Sequence, residues 1–94
     1  MDIVLLEPAQ QELEEVADYY DGLGLGVAFR EEFYRSLERI RTNPKSYTLV
    51  SPHARRCIVR RFKYAIIYEI ELARIVVLAV IHERRDPKVW QDRT

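Results

Sequence analysis

Cysteine occurs once, at Cys57, so no internal disulfide can form. With His53 and His82 as the only histidines, the three residues are too few and too scattered for a metal site, and no cofactor is implied. No apolar run reaches about 18 residues, which argues against a transmembrane helix. The chain opens on Asp2 where a secretory signal would place a basic region and an apolar one. Glycine is confined to Gly22, Gly24 and Gly26. Their spacing is half of a dinucleotide fingerprint, but they follow a helical pattern and not a strand, so they mark a turn and not a phosphate cradle. No repeat or low-complexity segment appears. These absences leave one soluble cytoplasmic domain spanning residues 1–94, with no membrane partner and room for one modest core.

Acid is also missing where base is dense. Between Arg41 and Lys63 there are seven bases and no acid, and the zero net charge hides a strong division. Residues 1–40 carry ten acids and three bases, whereas residues 41–94 carry five acids and twelve bases. An acidic surface kept apart from a basic one suits a partner that is nucleic acid or an acidic protein; a merely solvated surface is the plainer reading.

Periodicity supplies the elements. Asp2–Leu6 is a short apolar strand, and Pro8 fits the first turn of the helix that follows. Ala9, Leu13, Val16, Ala17 and Tyr20 recur at steps of three and four, as an amphipathic helix requires. Beyond the glycines, Phe29, Phe33, Leu37 and Ile40 mark a second helix, which Asn43 and Pro44 end. After an irregular segment, three runs rich in β-branched and aromatic residues follow, at 55–61, 63–70 and 74–82. Short connections favour antiparallel pairing. Tyr64, Ile66, Tyr68 and Ile70 share the face expected under the helices, and the last run, apolar on both faces, is expected inside the sheet. The fold expected is α+β, in the order β-α-α-β-β-β, with a helical hairpin on one face of a small, mostly antiparallel sheet.

Two clusters carry the chemistry. The 55–61 run places Arg56 and Arg60 on one face and Arg55 and Arg61 on the other, in a strand that would otherwise be apolar. Guanidinium forks match phosphate or carboxylate; arginines at a sheet edge also discourage aggregation. The second cluster is His82 to Asp86, at the exit of the last strand. Asp86 and Pro87 turn the chain there, so that Trp90 packs back on the body while Arg84 and Arg85 face outward. His82 is a candidate general base, but a histidine at a strand end is also a hydrogen-bonding cap. Cys57, on a strand with no base nearby in sequence, reads as a small buried residue and not a nucleophile.

The order of elements, with "YAIIYEI", "IVVLAVIHERRDPKVW" and Arg93, resembles the RelE/ParE superfamily of type II toxin–antitoxin toxins over essentially the whole chain. The ending formed by His82, Arg84, Arg85, Asp86, Pro87 and Trp90 is its most specific part and points to the ParE branch. The resemblance implies a bacterial toxin neutralised by a cognate antitoxin. ParE-like members inhibit DNA gyrase by binding, whereas RelE-like members are ribosome-dependent mRNA endoribonucleases.

Chemistry separates the branches. A nuclease of this kind needs cations for phosphate and a side chain that can move a proton. By this resemblance its set would be Arg60, His82 and Arg84. RelE-like enzymes also carry a tail tyrosine, and Trp90 stands in its place; an indole donates one hydrogen bond and does not titrate usefully. The expectation is therefore a gyrase inhibitor, with target binding through Arg84, Arg85 and Trp90 and antitoxin binding through Arg56, Arg60, Arg61 and Ile67. The ribosome-dependent nuclease and an inactive interaction module of the same fold are the alternatives.

Overall fold

The structure is a computed structural model and describes residues 1–93. Strand β1 (Asp2–Leu5) leads into helix α1 (Glu7–Gly22), which a tight turn joins to α2 (Gly26–Thr42). Strands β2 (Thr48–Leu49), β3 (Ala54–Ile58), β4 (Tyr64–Ile70) and β5 (Arg74–His82) follow, then a 3₁₀ turn at Pro87–Val89. The sheet runs β1-β5-β4-β3-β2; β1 lies parallel to β5 and every other pair is antiparallel. Among the described residues no helix is long and apolar enough to cross a membrane.

The expected α+β arrangement is present, with one strand more than its sequence pattern announces. Thr48 and Leu49 pair with Arg56 and Arg55, inside the segment read as irregular. Two residues are too few to display a period of two. The first long run is also shorter than expected: β3 stops at Ile58, because Arg61 takes a left-handed φ of 73° in the turn that follows.

The hairpin turn shows why glycine is spent here. The Leu25 N–H donates to the Tyr20 carbonyl and the Gly24 N–H to the Asp21 carbonyl, closing α1 with a Schellman motif whose left-handed position is Gly24, at φ 74°. At Gly26 the reason is space. A Cβ there would stand 1.6 Å from Asp21 Oδ1, in the paired Asp21–Arg30 side chains.

Both sheet faces are buried. On one, Ala9, Val16 and Ala17 of α1 and Phe29, Phe33 and Ile40 of α2 meet Cys57, Ile66, Tyr68, Ile75, Val77 and Val80. On the other, Ala65, Ile67, Val76, Leu78, Ala79 and Ile81 are covered by Trp90, Val89, Val50 and Leu6. A register shift makes this possible: Tyr68 pairs with Val77 and Ile67 with Ala79, so Leu78 is a bulge. Leu78 and Ala79 then face the same side, and β5 fills both layers.

Candidate functional site

The C-terminal end of α2, β2 and the β3 edge enclose a cleft of about 330 Å³, lined by Arg39, Ser46, Tyr47, Thr48, Arg56, Cys57, Ile58 and Arg60. The pairing of β2 with β3 ends at Thr48, which leaves the edge at Cys57 and Ile58 open. The chain before β2 is held in place from the sheet. Arg55 donates to the carbonyls of Lys45 and Tyr47 at 3.0 and 2.8 Å, and the Tyr68 hydroxyl donates to the Pro44 carbonyl at 2.5 Å. Burial pushes the Cys57 thiol above its ordinary value, against the nearby Arg39 and Arg60, so it stays neutral at physiological pH. Burial also raises Tyr47. A protonated, buried thiol agrees with Cys57 as a packing residue.

Arg60 and Arg61 belong to a turn closed by the Phe62 N–H on the Val59 carbonyl at 3.1 Å. Both are exposed, but only Arg60 lines the cleft.

The exit of β5 is built by different means. Strand β1 pairs with β5 only from Arg74 to Val77, so the later edge of β5 has no neighbouring strand. An ion pair stands in for one. Glu12 Oε1 accepts from the Val80 N–H at 3.1 Å and from Arg93 Nη1 at 2.8 Å, and Arg93 Nη1 also donates to the Leu78 carbonyl at 2.9 Å. Backbone groups that would otherwise be orphaned are thereby satisfied, and the tail is tied to α1. Beyond the clamp lies a second cleft of about 350 Å³, with Glu12, Glu15, Tyr19, Tyr64, His82 and Arg85 among its lining residues. The His82 ring stands edge-on to Tyr64 with centroids 5.6 Å apart, and its Nδ1 accepts from the Arg84 N–H at 3.2 Å. Histidine thus caps the strand end. Asp86 Oδ1 accepts from the Lys88 N–H and sets the following turn.

The expected site residues separate into three places. Arg56 and Arg60 share the first cleft, joined there by Arg39, while Arg61 is on the adjoining turn. Ile67 is 3 % exposed and lies on the opposite face, in the cluster that Trp90 and Val89 cover. Arg84 and Arg85 are exposed, as a recognition surface requires, but Trp90 is 3 % exposed and is part of the core. Of the nuclease set, Arg60 lines the first cleft and His82 the second.

Arg39, Glu12 and Tyr64 escaped the sequence reading. A signal existed for the first two. Arg39 follows buried Ser36 by three positions, and Glu12 follows buried Ala9 by three and precedes buried Val16 by four, so each lies along the buried stripe of its helix.

Comparison with known proteins agrees with this arrangement. A solved structure described as "Chromosomal ParDE TA system from P. aeruginosa" superposes with a TM-score of 0.76 over 87 % of this chain and 95 % of that one, at 12 % identity, which is a likeness of fold. No curated protein sequence matches significantly. The family model for the ParE toxin of type II toxin–antitoxin systems (parDE) matches residues 3–87, nearly the whole chain, and the chain belongs to that family.

Proposed function

We propose that the chain is a growth-arresting toxin that acts in the cytoplasm by binding DNA gyrase, and that a cognate antitoxin neutralises it. Membership of the ParE toxin family over residues 3–87 carries the reading. Supporting it against the ribosome-dependent nuclease, Arg60 and His82 line separate clefts, and the tail position that would hold a phenol is occupied by the buried Trp90. Target contact falls to the exposed Arg84 and Arg85. The antitoxin lays an extended, acidic segment along the β2–β3 edge, where Arg56, Arg60 and Arg61 meet no acid among the described residues and the exposed Leu49 and Ile58 offer apolar contacts. Ile67 joins that contact only where the tail is displaced from it.

The test is expression without antitoxin, with gyrase supercoiling and mRNA integrity followed together. Dose-dependent loss of supercoiling with intact transcripts is expected, and the Arg84→Ala/Arg85→Ala double variant should fold normally and lose toxicity. Ribosome-dependent transcript cuts with unaffected gyrase would replace this reading by the nuclease one. Toxicity undiminished in the double variant at equal expression would remove Arg84 and Arg85 from the target surface.

A further inference from the structure

Arginine is used in two different ways in this molecule. Arg30, Arg35, Arg41, Arg74 and Arg93 each stand within 4.0 Å of a carboxylate. Arg39, Arg55, Arg56, Arg60, Arg61, Arg84 and Arg85 have no such partner among the described residues, and of these Arg39, Arg56 and Arg60 line one cleft at the end of α2. Three elements supply them: the last turn of α2, strand β3 and the turn after it. Among the described residues no acid lines the cleft, and the sequence holds none between Arg41 and Lys63.

One of these charges is held in place by the fold. Arg39 Nη2 donates to Ser36 Oγ at 2.9 Å and is half-buried, so its guanidinium is not free to drift into solvent. Tyr47 and Thr48 add two hydroxyl groups, while that of Ser46 donates to the Asn43 carbonyl at 2.9 Å. Like charges gathered without compensation repel one another, and that repulsion is relieved when an anion enters. Cys57 and Tyr47 cannot supply it, because burial keeps both protonated.

We propose that the Arg39–Arg56–Arg60 cleft is a binding site for a phosphate group. A carboxylate has two oxygens in one plane and is satisfied by a single guanidinium fork. Three forks and two hydroxyls suit a group with oxygens directed tetrahedrally and a charge that can exceed one. The volume of about 330 Å³ accommodates a diphosphate or a nucleotide unit, and the open side admits a strand that continues beyond it. The phosphate is therefore that of a free nucleotide or polyphosphate, or of a nucleic-acid backbone. The site is independent of the gyrase reading, since neither Arg84 nor Arg85 lines it; an antitoxin segment on the β2–β3 edge would close it.

The test uses the full chain without antitoxin. Pyrophosphate is titrated by calorimetry, and a fluorescently labelled single-stranded oligonucleotide by anisotropy. Saturable pyrophosphate binding is expected, weakened about tenfold or more in Arg39→Gln and in Arg56→Gln. Arg74→Gln removes the same charge at a distant, exposed position and should change affinity by less than about twofold. Circular dichroism of each variant separates lost binding from lost folding, and the exposed Arg56 keeps the test valid should Arg39→Gln fail to fold. An oligonucleotide that binds and is displaced by pyrophosphate assigns the site to a nucleic-acid backbone; pyrophosphate binding alone assigns it to a small phosphate. The proposal fails if pyrophosphate does not bind, if Arg74→Gln weakens binding as much as Arg56→Gln, or if a glutamate-rich peptide binds more tightly than either phosphate ligand.

Discussion

At the scale of the residue, side chains that replace backbone partners decide most. Glu12 and Arg93 satisfy the Val80 N–H and the Leu78 carbonyl where β5 has no strand beside it. Glu12→Ala leaves both the amide and the guanidinium without their acceptor and should cost about 2–3 kcal/mol, whereas Glu12→Gln retains an acceptor for Val80 and should cost about 1 kcal/mol. Urea unfolding of the two variants checks the order; equal losses would mean that only the ion pair matters. Tyr68 gives a pH signature. Burial first, then the nearby Cys57, push its phenol from 10.0 up to about 12, with Arg55 pulling the other way. Because the folded state holds this proton more tightly, the associated stability is complete below pH 10 and is lost as pH rises through about 12. Tyr68→Phe should be less stable by about 1 kcal/mol below pH 10, for the lost bond to the Pro44 carbonyl, but its melting temperature should fall less steeply across that window, so that the difference closes as pH rises.

Elements add conditions that no single contact supplies. The helical hairpin closes only because Gly24 adopts a left-handed φ of 74°. Gly24→Ala should cost about 1 kcal/mol. Gly22 lies in α1 with nothing within 4 Å of a Cβ, so Gly22→Ala should be neutral or stabilising by up to about 1 kcal/mol. Opposite signs for two alanines two positions apart, read from denaturation midpoints, would confirm the motif. The β3–β4 turn presents a related case, since Arg61 holds a left-handed φ of 73° without glycine's freedom. Arg61→Gly should therefore relieve strain at that turn.

For the whole molecule, the tail completes the second core. Residues beyond β5 fold back so that Trp90 and Val89 cover Ile67, Leu78 and Ile81, and Arg93 ties the end to α1. Trp90→Ala should cost about 3 kcal/mol or more and lower the melting temperature by about 10 °C or more. Arg84→Ala/Arg85→Ala should shift stability by less than about 0.5 kcal/mol per site. Thermal melts of the two variants distinguish an anchoring tail from a surface one. If Trp90→Ala melted like the unsubstituted chain, the second layer would owe nothing to the indole.

Periodicity and composition alone determined the two helices, the antiparallel run of long strands and the face of β4 that meets the helices, because an apolar stripe at a step of two or 3.6 residues has few ways to be buried. The division of charge was legible too, and with it the basic edge. Tertiary structure alone decided the rest. A two-residue strand such as Thr48–Leu49 has no period, and the bulge at Leu78 is a property of pairing that a uniformly apolar run cannot reveal. Whether Arg56 and Arg60 face an acid, and that Arg39 stands with them, depends on where the end of α2 meets β3, across residues far apart in sequence. The same holds for Trp90 and Ile67, whose apolar side chains suit a partner's surface or an interior equally well until the tail is folded over the sheet.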